Sequence, residues 1–169
     1  MGLTKKTLMA LAAFAAVSAS APSLMRAQDL GIDVGAAAPA VLVNALDGKA
    51  VDLGRYIGKT PVLIEFWATW CPNCRELMPT LLETEKKYGK RVKFIALAVA
   101  INQSPEKVRR WLAAHPLPHD TFYDTDGKAA SAFDAPATSY VVVLNKSGKV
   151  VYTGLGGKQD LDSAVRKAL

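Results

Sequence analysis

The stretch PVLIEFWATWCPNCRELMP, residues 61–79, holds both cysteines of a 169-residue chain and changes character halfway along. Residues 61–68 form a near-continuous apolar run with β-branched and aromatic side chains, as expected of a central strand covered on both faces. From residue 73 onward Leu77, Met78, Leu81, Leu82 and Tyr88 fall near one side of a helix that Gly89 can stop. Pro79 lies inside that helix and is expected to kink it. Cys71 and Cys74 therefore sit where a buried strand hands over to a helix.

Outward from this junction the pattern repeats. VKFIALAVA, residues 92–100, reads as a second buried strand, and Ser104-Pro105-Glu106 opens a helix running to about Ala114 with a capping hydroxyl, a proline at the first helical position and an early acid. Asp126-Gly127 marks a turn. SYVVVL and KVVYTG flank Asn145-Lys146-Ser147-Gly148 as a hairpin, and DLDSAVRKAL closes the chain as an amphipathic helix capped by Asp160. Upstream, AVLVNA and AVDL on either side of Asp47-Gly48 form an N-terminal hairpin, because that dipeptide tolerates positive φ. Residues 28–39 are rich in Gly and Ala and read as a lead-in. Alternation first and a hairpin later imply one α/β domain over residues 28–169, a mixed sheet with helices on both faces.

The first 27 residues read differently. Lys5 and Lys6 precede the apolar run LMALAAFAAV and the small residues SASA, the three-part pattern of a secretory signal. The run is too short to span a bilayer, which takes about 20 residues. The expectation is an extracytoplasmic, periplasm-type protein, soluble once the signal is cut after Ala19 or Ala27, with an N-terminal membrane anchor as the alternative. A cut after Ala27 removes Lys5, Lys6 and Arg26 and takes the formal net charge from +6 to +3. The remaining cations are scattered among acids, which argues against a nucleic-acid surface.

Two thiols in an exported chain can be a structural disulfide, part of a metal site or a redox couple. A bridge across two residues closes a very short loop and constrains the unfolded chain little. Zinc asks for four ligands, and the other soft candidates, His115 and His119, lie in HPLPH, where two prolines hold the chain extended and away from convergence. Redox chemistry leads. At the start of a helix the unpaired amides and the dipole favour a thiolate on Cys71, the attacking sulfur. Cys74, one turn on, is the resolving sulfur, protonated until it attacks the mixed disulfide. Glu65 is a carboxyl stranded in VLIEFW, where burial raises its pKa and fits it to accept the proton of Cys74. A copper-binding chaperone holding Cu(I) on the same thiol pair is the alternative of a different class. No nucleotide or flavin motif is present, so no organic cofactor and no resident metal are expected.

The segment VLIEFWATWCPNCRELMP resembles the active-site region of thioredoxins, and more closely that of the exported TlpA-like thiol-disulfide reductases. Cys71 and Cys74 match the attacking and resolving cysteines, Trp70 the tryptophan before them, Pro79 the helix-kinking proline and Glu65 the buried acid. The likeness runs from about Val34 to Leu169 and implies a thioredoxin-like three-layer sandwich with an N-terminal β-hairpin. It implies a monomer that reduces disulfides in proteins, apocytochrome c and misoxidised proteins among them, and is itself re-reduced by a membrane thiol-disulfide donor. It also implies a substrate-binding rim at Trp70, Pro72, Pro136, Thr138 and Ser139. The family carries a cis-proline opposite the disulfide. Counting back from Asn145 and Gly148 puts Ser139 in that slot, with Pro136 three residues early. Pro136 is the residue expected to take the cis role, through extra residues in the strand after it; the other expectation is a trans bond at a non-proline, Ser139.

Overall fold

The computed structural model describes residues 30–169, so the leader expected over residues 1–27 lies outside the described residues. Seven strands form one sheet: β1 (Leu42–Ala45), β2 (Ala50–Asp52), β3 (Val62–Trp67), β4 (Lys93–Val99), β5 (Asp120–Asp124), β6 (Tyr140–Leu144) and β7 (Val150–Leu155). Four helices accompany them: α1 (Pro72–Tyr88), α2 (Pro105–Ala114), α3 (Lys128–Ala132) and α4 (Leu161–Arg166). The order across the sheet is β2-β1-β5-β4-β3-β6-β7. Strands β3, β4 and β5 run parallel, and the pairs β3–β6, β6–β7, β1–β2 and β1–β5 are antiparallel.

Strand β3 lies at the centre, with all six residues buried, as its apolar run requires. The steps β3–α1–β4 and β4–α2–β5 go the same way across the sheet, and right-handed crossovers then place α1 and α2 on one face. Leu63 packs there with Leu77 and Leu81 of α1 and with Leu161 and Val165 of α4. On the same side of β3, Trp67 meets Trp111 of α2 with ring centroids 4.9 Å apart. The alternate residues face the other layer: Phe66 packs on Phe133, at the end of α3, and on its cross-strand partner Tyr140. Glu65 falls between Leu63 and Trp67 in this alternation and so points beneath α1 and α2.

Helix α1 continues across Pro79 to Tyr88, where Gly89 caps it and donates its N–H to the Glu85 carbonyl at 2.7 Å. A Cβ on Gly89 would meet that carbonyl oxygen at 2.8 Å, so the stop needs glycine for space, not for positive φ. Helix α2 begins and ends at the residues expected, with the Ser104 hydroxyl accepting from the Lys107 amide.

The sequence reading missed β5 and α3. Strand β5 is only five residues, opens on the polar pair Asp120-Thr121 and buries its last three residues. Helix α3 is also five residues, and its amides at Ala129 and Ala130 are capped at long range by both carboxylate oxygens of Asp124, at 3.0 and 2.8 Å. Within the lead-in, Gly35, Ala36 and Ala38 hydrogen-bond with Val150 and Gly148 and cover the β7 edge of the sheet.

Candidate active site

Past Trp67 the chain turns through Ala68, Thr69 and Trp70 into Cys71, the N-cap of α1, in extended conformation with φ −77° and ψ 116°. Cys71 N–H donates to the Ala68 carbonyl, and Cys71 Sγ accepts the Cys74 amide at 3.1 Å. The two sulfurs are joined as a disulfide. Both cysteines are 2% exposed, so accessibility does not tell them apart; their positions do. Cys71 stands ahead of the first turn, where amide groups lack helical partners, while Cys74 lies within it.

A loop after β4 clamps this corner. Gln103 accepts the Thr69 amide on Oε1 at 2.9 Å and donates through Nε2 to the Val99 carbonyl, while Trp70 Nε1 donates to the Ile101 carbonyl at 2.7 Å. Tyr123 Oη holds Gln103 in turn by donating to its carbonyl. Sequence reasoning missed Gln103: a single glutamine in a polar loop carries no periodic signal, and only the fold brings it against the motif.

Glu65 is 3% exposed, flanked by Ala96 and Val141 on the neighbouring strands, and its Oε1 has no hydrogen-bond partner. Burial pushes its carboxyl up from 4.5 to about 8. Trp67 Nε1 and Thr69 Oγ1 are the other buried side-chain atoms without a partner among the described residues. Residues 65, 67 and 69 thus gather every such orphan on alternate positions leading to the cysteines. Each costs about 1 to 3 kcal/mol, so the fold concentrates this cost where chemistry is expected.

Trp70, Pro136 and Thr138 come together in an apolar groove of about 360 Å³, completed by Val99, Ile101, Ala130, Ala135 and Ala137. Pro72 sits exposed at the first position of α1, outside this lining. Two expectations need correcting. Every peptide bond among the described residues is trans, so Pro136 does not take the cis role. Ser139 holds the slot itself, with φ 62°, its amide donating to the Phe66 carbonyl at 2.7 Å and its hydroxyl to the Gly156 carbonyl. Its carbonyl accepts from the Gly156 amide and from Gln159 Nε2. Ser139 is 0% exposed with its polar groups bonded inside the protein, so it supports the rim and does not face a bound chain. The slot is filled by fixing a left-handed serine from three sides.

The two histidines have partners other than the sulfurs. His119 buries its ring and lies 2.6 Å from Glu85 Oε2 on α1, and His115 stacks on Trp111. Among the described residues no three His, Cys, Asp or Glu side chains are gathered to hold a metal ion, and no helix is long and apolar enough to cross a membrane.

Comparison with known proteins agrees with this geometry. The family model described as Redoxin matches residues 33–169. Thiol-disulfide oxidoreductase ResA of Geobacillus thermodenitrificans is 27% identical over 161 residues, 94% of this chain and 91% of that protein. ResA of Bacillus thuringiensis subsp. konkukian is also 27% identical, over 139 residues, 80% of this chain and 79% of its own. Among solved structures, the thioredoxin domain of a thiol-disulfide oxidoreductase from Bacteroides vulgatus superposes with a TM-score of 0.69 at 20% identity, covering 82% of this chain and 99% of that one.

Proposed function

The chain belongs to the Redoxin family and is a thiol-disulfide oxidoreductase of the TlpA-like kind, and from that premise we propose that it works outside the cytoplasm as a reductase of protein disulfides. In the reduced protein, the Cys71 thiolate attacks one sulfur of a substrate disulfide. A mixed disulfide forms and the other substrate sulfur leaves as a thiolate. Cys74 then attacks Cys71 Sγ, closing the Cys71–Cys74 bond and releasing the second substrate thiolate, so two electrons pass from the pair to the substrate. Glu65 takes the proton of Cys74, a task suited to a carboxyl whose pKa lies near the working pH. A membrane thiol-disulfide donor restores the dithiol by the same exchange run in reverse.

The observation that supports this reading most directly is the Cys71 sulfur at the N-cap, already accepting an amide hydrogen from the first turn of α1. That arrangement favours negative charge on this sulfur once the bridge is open. An extended substrate segment lies in the groove of Trp70, Pro136 and Thr138, whose apolar lining fits a substrate cysteine flanked by small or apolar side chains. The likeness to TlpA-like reductases makes apocytochrome c and misoxidised exported proteins the substrate classes we assign to it.

Replacing the resolving sulfur tests the scheme. Cys74→Ser should accumulate covalent adducts through Cys71 that dithiothreitol releases, while wild type turns over insulin disulfides under the same conditions. A variant that stays free of adducts there would remove the basis for this reading.

A further inference from the structure

The fold gathers three cations that lie far apart in the sequence. Lys59, Thr60 and Pro61 ahead of β3, Arg91 between α1 and β4, Lys146 in the β6–β7 turn, and Ala168 and Leu169 line a groove of about 330 Å³. No aspartate or glutamate side chain is among these residues, and the one negative group at the groove is the α-carboxylate of Leu169, outnumbered by the three cations. Elsewhere Lys49, Lys87, Lys93, Arg109, Lys128, Lys158 and Arg166 each pair with a carboxylate. Lys59, Arg91 and Lys146, like Arg55, Arg75, Lys86 and Lys90 elsewhere on the surface, pair with none among the described residues; what sets these three apart is that they share one groove.

The walls are tied to the sheet. Thr60 Oγ1 donates to the Arg91 carbonyl at 3.0 Å, and the Lys93 amide donates to the Pro61 carbonyl at 2.8 Å, which fixes the Lys59 and Arg91 backbones beside each other. Positive charges converging on one concavity reinforce one another's field, and an anion entering it interacts with all of them at once. A guanidinium fork and two ammonium groups are the kind of donors that phosphate oxygens accept from.

We propose that this groove binds a phosphate group, either free or carried on an anionic lipid headgroup. It opens where β3 begins, whereas Cys71 follows where β3 ends. Six residues of strand put about 20 Å between the two, so an occupant leaves the disulfide free. The proposal stands apart from the redox reading and survives or fails without it.

Two titrations of the full oxidised chain test it, one with inorganic phosphate against sodium chloride at equal ionic strength, the other with phosphatidylglycerol against phosphatidylcholine vesicles. Saturable amide shifts at Lys59, Thr60, Arg91 and Lys146 with phosphate and not chloride identify a free phosphate. Co-sedimentation with phosphatidylglycerol vesicles and not phosphatidylcholine identifies the headgroup. In either case Lys59→Gln and Lys146→Gln should each weaken the binding about 3- to 10-fold and leave insulin reduction unchanged. No saturable binding in either titration, chloride acting as phosphate does, or undiminished binding in both variants overturns the proposal.

Discussion

A carboxyl group at position 65 costs the fold most when it is charged. The unfolded chain releases this proton near 4.5 and the native protein holds it to about 8, so the folded state binds more protons throughout that window. Stability therefore falls as pH rises from about 4.5 to about 8, and the loss approaches roughly 5 kcal/mol if the whole shift is realised. Glu65→Leu keeps much of the volume and removes the titration. Its urea midpoint should stay level across the window while that of wild type declines; parallel slopes would assign the decline to another group. Ser139 offers a second test. Its φ of 62° is closed to proline, which also lacks the amide donated to Phe66. Ser139→Pro, the change that installs the proline the resemblance leads one to expect in this slot, should cost about 3 kcal/mol or more. Ser139→Gly trades backbone strain against one lost hydroxyl bond and should stay within about 1 kcal/mol. Denaturant unfolding of the two variants side by side checks both numbers.

The helices convert sequence signals into chemistry through their ends. The first turn of α1 contains no acid, so no carboxylate in that turn opposes negative charge on the Cys71 sulfur. Asn73→Asp places a carboxylate beside the same amides. It should raise the Cys71 pKa in the reduced protein, disfavour the reduced side of the couple and make the potential more negative. A helix-terminus charge is worth about 0.3 to 1 kcal/mol, equivalent to a fall of about 5 to 20 mV. Equilibration against a glutathione buffer measures it, and a rise in potential would contradict the electrostatic account. At α2, Ser104→Ala should cost about 1 kcal/mol through the lost bond to the Lys107 amide. These ends were legible because each is written locally: Ser104-Pro105-Glu106, Asp160 and the cysteines at a strand-to-helix junction. The cap of α3 was not, since it comes from Asp124 four residues before the helix, on the preceding strand. Nor was the clamp of Gln103 on Thr69, which depends on β4 lying beside β3.

At the scale of the whole molecule, the apolar runs identified the three strands that carry the core, and the chain order identified the mixed sheet. What the sequence left unsaid is where the polar pieces go. Strand β5, half polar, joins the N-terminal hairpin to the parallel strands through Asn44 and Ala45, and the Gly- and Ala-rich lead-in seals the opposite edge at β7. Both are stabilised by backbone pairing, which side-chain periodicity does not report. This layout sets an order of local stability. Strands β3, β4 and β6 have paired neighbours on both sides and, apart from Lys93, no residue that is not buried. Strand β2 is three residues long, has one neighbour and buries none of its residues. Opening β2 exposes little apolar area, whereas opening β3 requires the global transition, because α1, α2 and α4 pack on one of its faces and Phe133 on the other. Amide exchange of the oxidised protein at neutral pH should therefore be slowest in β3, β4 and β6, with free energies that match denaturant unfolding, and fastest in β2. Intermediate protection is expected for Gly35 and Ala38, whose amides donate to the Val150 and Gly148 carbonyls at the sheet edge. Exchange from β3 at the rate of β2 would mean that the central strand opens locally, and the buried Glu65 would then titrate without the cost its burial imposes.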